Sequence, residues 1–157
     1  MQTRMEQFPM TAQEIDQLLH RAMVGRISTI GEDGYPYTVA VHFVYDQEKI
    51  YIHGARKGEK LQNLKANPKV CFEVDEFNTV QAENLPSPCK ADSDYESVVI
   101  RGNASILDSE KQKAVILGQF VEKYTPAYSH MELPEKVVAV TGVIEISIER
   151  MTGKYHH

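Results

Sequence analysis

The spacing of apolar and polar positions changes several times along the chain, and each change marks an element. Ile15, Leu18, Leu19, Ala22 and Met23 recur at helical spacing and fall on one face. Just ahead of them, Thr11-Ala-Gln-Glu14 reads as a capping box, in which hydroxyl and carboxylate satisfy free N–H groups at a helix start. Gly25 is expected to end this helix, and residues 1–10 to form a mobile lead-in. The period then shortens. Residues 26–30 partly alternate, Glu32-Asp33-Gly34 predicts a hairpin turn, and residues 35–45 are aromatic and β-branched, as strands are. Pro36 belongs at the start of that strand, because it has no N–H to give a ladder. Residues 46–49 predict a second turn and 50–53 a third strand.

A Gly-containing loop at 54–58 feeds a short helix over 59–66, with Leu61 and Leu64 on its inner side. Asn67-Pro68 stops it, since proline disfavours helical geometry in the residue before it. A fourth strand is expected at 69–74. Residues 75–94, polar and carrying Pro86 and Pro88, read as a long excursion that is functional or a dimer contact. A long strand follows over 95–107, with Gly102 a candidate bulge, then a helix over 109–124 opened by Ser109. After a loop at 125–134, a last strand is expected at 137–148. About six strands, mostly joined by hairpins, favour a mainly β fold, an antiparallel barrel with flanking helices, over a doubly wound parallel sheet.

Composition narrows the function classes. The 157 residues are 42% hydrophobic and 25% charged, as in a single ordinary globular domain. A formal charge of −5 argues against general nucleic-acid binding, which needs a basic face. No apolar run is long enough to cross a membrane, and the first six residues lack the apolar stretch of a secretion signal. The expectation is a cytoplasmic protein. Cys71 and Cys89 make no disulfide framework. Cys71, in an alternating run, is expected to be a buried thiol, and Cys89 to lie in a Pro-rich loop.

Several chemistries drop out. There is no G-x-G-x-x-G, P-loop, H-E-x-x-H or G-x-S-x-G. Asp92, Asp94 and Glu96 lack the glycine a calcium loop requires, Ser97 standing there instead. Asn103-Ala-Ser105 is a chance sequon. What survives is the passage from Tyr51 to Pro68, where a strand ends, a loop carries Arg56 and Lys57, and a helix begins with Lys60 in its first turn. A helix N-terminus offers free N–H groups and partial positive charge, and Gly54 and Gly58 permit close backbone approach. This reads as an anion site; the competing reading is a solvated basic turn.

The block Gly34-Tyr-Pro-Tyr-Thr-Val-Ala-Val-His-Phe43, with Ile50-Tyr-Ile-His-Gly-Ala55, Gly58-Glu-Lys60, Leu64 and Asn67-Pro68-Lys-Val70, resembles the FMN-binding split β-barrel of the pyridoxamine 5'-phosphate oxidase superfamily. The His53-Gly54 step and Tyr95–Gly102 following Cys89 resemble its Nim branch, the 5-nitroimidazole-resistance-type flavoproteins. The resemblance implies that Lys60, helped by Arg56 or Lys57, holds the FMN phosphate. It implies that Thr38, Val39, Ala40 and Val41 run beside the isoalloxazine, that His53, Gly54, Ala55 and Gly58 lie near the ribityl–phosphate region, and that Ser97 and Val98 come from the second subunit of a homodimer. His53 is the candidate catalytic residue, able to give a proton or a hydrogen bond beside the flavin; its alternative is a strand-end histidine bonded to backbone. Tyr37, Phe43 and Tyr128 are candidate pocket walls.

One departure matters. Residues 38–41 hold no arginine, and the tail from Arg150 is only loosely basic, so pyridoxamine phosphate is not the expected substrate. The resemblance implies an FMN-dependent oxidoreductase acting on a small, flat, electron-poor molecule, with NADH or NADPH as transient donor. The alternatives are a flavin- or haem-binding module without turnover or a stress-response protein that only sequesters a ligand, and a barrel that prefers a deazaflavin.

Overall fold

In a computed structural model, residues 6–83 and 85–156 are described. The strands are β1 (Gly25–Ile30), β2 (Pro36–Val41), β3 (Val44–Asp46), β4 (Lys49–Gly54), β5 (Lys69–Gln81), β6 (Asp92–Ile106) and β7 (Gly142–His156). The helices are α1 (Ala12–Arg21), α2 (Glu59–Ala66), α3 (Glu110–Tyr124) and α4 (Glu135–Val140). The seven strands form one sheet in the order β2-β1-β5-β6-β7-β4-β3, each neighbouring pair antiparallel.

That order fixes the shape. β2 and β3 are the two edges of the sheet, yet only His42 and Phe43 separate them in the chain. The step from Val41 to Val44 spans at most about 11 Å, so the sheet must curl until its edges nearly meet. They come close but do not pair, and the result is a barrel with one open seam.

Phe43 plugs that seam from inside, fully buried and edge-on to Phe72 at 5.2 Å. Its backbone cannot join a ladder there, so Tyr124 takes over: the phenol oxygen accepts the Phe43 N–H at 2.9 Å and lies 2.8 Å from the Phe43 carbonyl. Inside the curl, Leu18 and Leu19 of α1 meet Ile27, Ile50, Ile52, Phe72, Val98, Ile100 and Ile146. A smaller cluster joins Ile116, Leu117 and Phe120 of α3 to Val44, Tyr51, Val138 and Val143.

Several expectations are met. The capping box of Thr11 and Glu14 is present. Gly34 has φ 82° in its turn. Gly102 sits at a register break between β6 and β7, where a side chain would run into the Ser147 carbonyl.

Other expectations are corrected. The run 35–45 is two strands, because the chain crosses the seam at Phe43, which makes the total seven rather than six. Residues 75–94 are no long loop: β5 and β6 continue as a hairpin arm, paired out to Gln81 and Asp92. Its side chains are polar because both faces meet water, which is why composition read it as coil. Residues 135–140 are helical, and the last strand starts at Gly142 and runs to His156. The first helix stops at Arg21; Gly25 instead opens β1, where a side chain would strike the Phe72 ring. The lead-in is anchored where it is described, with Pro9 bridging Lys154 and Met10 donating to the Gly153 carbonyl at 3.1 Å; residues 1–5 lie outside the described part.

Candidate functional site

A cleft of about 630 Å³ opens along the seam, a volume typical of a small-molecule site. One wall is β2, through Tyr37, Val39, Ala40 and Val41; the facing wall is the end of β4 and the start of β7. The loop from Ala55 to Gly58 and the first turn of α2 close one end. The walls are apolar and the closed end is basic.

The basic end is built from the backbone upward. Gly58, the residue before α2, has φ 132° and ψ 168°, a conformation open only to glycine. No side chain caps the helix, so the N–H groups of Glu59 and Lys60 have no side-chain partner at its start. Lys60 sits in this first turn, and burial pulls its ammonium below the ordinary 10.5. Among the described residues, Lys57, Lys60 and Lys65 make no ion pair, while all three line the cleft. Arg56 is different: its guanidinium donates to the Ala139 carbonyl at 3.3 Å, at the end of α4.

The helix is held in place by a polar tie. Asn63, 2% exposed, donates from Nδ2 to Thr29 Oγ1 at 3.0 Å, and that hydroxyl lies 3.4 Å from the Tyr37 carbonyl. α2, β1 and β2 are thereby tied together, so the basic end and the strand wall keep a set distance. Sequence reasoning missed Asn63; the available signal was an asparagine between Leu61 and Leu64 on the inner face of a short helix.

His53 stands where β4 leaves the sheet, with its ring edge-on to Phe120 at 4.3 Å. Partial burial first, then the positive charges of His42 and Lys60, push its pKa below 6.5. The imidazole is therefore neutral at pH 7, suited to hydrogen bonding more than to giving up a proton. His42 stacks on Tyr124 at 4.4 Å, just beyond the end of β2.

Ten of the residues singled out from sequence thus meet at one cleft: Val39, Ala40, Val41, His53, Gly54, Ala55, Arg56, Lys57, Gly58 and Lys60. Thr38 points the other way, its hydroxyl 2.8 Å from that of Ser28. Val98 is fully buried in the core, and Ser97 pairs with Lys154 away from the cleft. Of the candidate walls, Tyr37 lines the cleft, Phe43 is core, and Tyr128 is 60% exposed elsewhere. Ile106, Asp108 and Gly142 line the cleft unforeseen, brought there by the pairing of β6 with β7. Cys71 is half-buried, its thiol raised by that burial, and Cys89 is exposed. No cluster of three metal-ligating side chains occurs among the described residues, and no helix there is long and apolar enough to cross a membrane.

A family model for pyridoxamine 5'-phosphate oxidase matches residues 11–155, nearly the whole chain. The chain belongs to the pyridoxamine 5'-phosphate oxidase family. Within that frame it is 34% identical over 103 residues to a 5a,11a-dehydrotetracycline/5a,11a-dehydrooxytetracycline reductase of Streptomyces rimosus, over 63% of this chain and 65% of that relative's length. Its fold is similar to a crystal structure assigned to a 5-nitroimidazole antibiotic resistance protein of Bacteroides thetaiotaomicron. There the TM-score is 0.81 at 22% identity, covering 93% of this chain and 85% of the other. It is also similar to a flavocytochrome of Azotobacter vinelandii, with TM-score 0.86 at 19% identity, covering 99% and 72%. This pyridoxamine 5'-phosphate oxidase family member therefore shares the split-barrel fold of proteins from quite different settings.

Proposed function

We propose that this family member is an FMN-dependent oxidoreductase, a cytoplasmic homodimer that reduces a small, flat, electron-poor molecule. The observation that carries the reading is the cleft: apolar walls of β2 and β7 leading to an uncapped helix start beside the ammoniums of Lys57, Lys60 and Lys65, which make no ion pair among the described residues. Such an end suits a phosphate, and such walls suit a flat ring. A bound flavin would supply the redox chemistry, passing electrons taken from a nicotinamide such as NADH or NADPH to the substrate. The chain's own residues bind and orient it. Lys60 and the first N–H groups of α2 hold the phosphate, while Gly58 lets the backbone come close. Val39, Ala40 and Val41 lie along the ring, and His53, uncharged, offers a hydrogen bond near the reacting face. The relative from Streptomyces is by name a reductase, which supports reduction as the class of reaction.

The deciding experiment is an absorbance spectrum with and without added FMN, beside a Lys60→Ala variant. Flavin bands that appear in the parent and weaken at least tenfold in affinity in the variant are expected, a charge-assisted hydrogen bond being worth about 1.5–3 kcal/mol. A protein that ignores FMN would remove the flavin reading. Absorbance without any nicotinamide oxidation would instead favour a binding module.

A further inference from the structure

Beside the cleft lies a second, smaller crevice of about 80 Å³, and it contains a buried charge that the proposed chemistry does not use. Lys113, on the first turns of α3, is 5% exposed. Its ammonium donates to the Ala139 carbonyl at 3.2 Å. Arg56 donates to the same oxygen at 3.3 Å, so two full positive charges converge on one carbonyl. That carbonyl lies near the end of a six-residue helix, whose terminus carries at most about half a negative charge. Asp108 and Glu110 also line the crevice from exposed positions, but among the described residues neither pairs with Lys113 or Arg56. A buried ammonium is normally paired with a carboxylate, because leaving water is otherwise unfavourable. Here, among the described residues, no carboxylate pairs with it.

The crevice is not isolated. Arg56, Ile106, Asp108 and Gly142 line both it and the main cleft, so a molecule lying in the cleft can extend into it. Its volume holds one compact group and no second ring system.

We infer that the crevice between β7, α3 and α4 is a second anion subsite, in which Lys113 and Arg56 bind a compact oxyanion, phosphoryl or carboxylate, carried by a ligand of the adjoining cleft. Two sources have this chemistry: a further phosphoryl group on a cofactor longer than FMN, or an acidic group on the substrate. The subsite itself does not depend on the flavin reading, which enters only in identifying the neighbour.

The test uses inorganic phosphate as the probe and thermal unfolding as the readout, on flavin-free protein first. Phosphate at millimolar concentration is expected to raise the unfolding midpoint of the parent chain and, less, of Lys60→Ala, in which the α2 site is disabled; in that Lys60→Ala background Lys113→Met is expected to abolish the remaining shift and Lys113→Arg to keep it. Should the Met variant not fold, Arg56→Met serves in its place, since Arg56 is exposed. The experiment is then repeated at saturating FMN and at saturating FAD. A phosphate shift that survives FMN but is abolished by FAD assigns the subsite to the cofactor's second phosphoryl group. A shift that survives both assigns it to the substrate's acidic group. No phosphate shift in Lys60→Ala, an equal shift when Lys113→Met is added to it, or a parent shift that FMN alone abolishes, overturns the proposal. Because the first arm contains no flavin, failure of the flavin reading would leave its result standing.

Discussion

Lys123 shows how burial writes pH dependence into a single residue. Its ammonium lies 4.1 Å over the Phe43 ring and donates to the Leu19 carbonyl at 3.2 Å, and desolvation lowers its pKa from 10.5 to about 8. A lowered lysine pKa means that the folded state binds fewer protons than the unfolded one between those two values. The penalty is complete below pH 8 and fades as pH rises toward 10.5. Lys123→Met, which keeps the volume, should therefore stabilise the protein near pH 7 by about 1 kcal/mol, the lost hydrogen bond offsetting part of the gain. Denaturant melts of both proteins from pH 7 to 10.5 should show the difference shrinking as pH rises. A constant difference would mean that the lysine does not titrate in that window. His53 gives the companion case in function. With its pKa below 6.5, turnover in the proposed reaction should fall only as pH drops below that value, and His53→Gln should remove that acid limb from the rate profile.

At the scale of elements, the position of α2 rests on one polar contact. Thr29→Val keeps the shape of the side chain but leaves Asn63 Nδ2 buried without an acceptor. The expected loss is about 1–3 kcal/mol in chemical denaturation. Flavin affinity should fall as well, although Thr29 does not line the cleft. Normal affinity in the variant would show that α2 is held by its leucines alone. Gly58→Ala separates conformation from space: nothing stands within 4 Å of the added methyl, yet φ 132° is closed to alanine. A reduced flavin affinity there would come from the backbone and not from a clash. At Gly102 the opposite holds, since the obstacle is the Ser147 carbonyl of the neighbouring strand, and alanine should unzip the bulge between β6 and β7.

For the whole molecule, the hairpin arm is the feature most open to a partner. Phe77 is 60% and Val80 49% exposed on a β5–β6 pair that reaches past the core. Sedimentation velocity should find two chains per particle, and Phe77→Asp should shift the population toward one. A single-chain particle in the parent protein would remove the dimer from the proposal. The same long-range pairing governs folding. β1 must find β5 and β4 must find β7, with Lys49 opposite Ser147 in the final register. Contacts so distant in sequence place refolding in the millisecond-to-second range.

The periodic elements and the basic end of the cleft were legible in the chain because their causes are local. A capping box, an Asp-Gly turn pair and a Pro after Asn act within a few residues. The run from Gly54 to Lys60 carries its glycines and cations in sequence order, so the basic end of the cleft could be read directly. What the tertiary structure decided is everything that depends on pairing across the chain. Residues 75–94 are polar because water reaches both faces of the arm, and only the partner strand makes them β. Residues 35–45 look like one strand because nothing in their composition announces that Phe43 crosses a seam between sheet edges. Residues 135–140 carry three β-branched valines, yet they are helical, with Val138 in the cluster of Phe120 and Leu117 of α3. The crevice of Lys113 and Arg56 is the extreme case: residues 57 positions apart meet at a carbonyl 26 further along, and no local rule brings two cations to one oxygen.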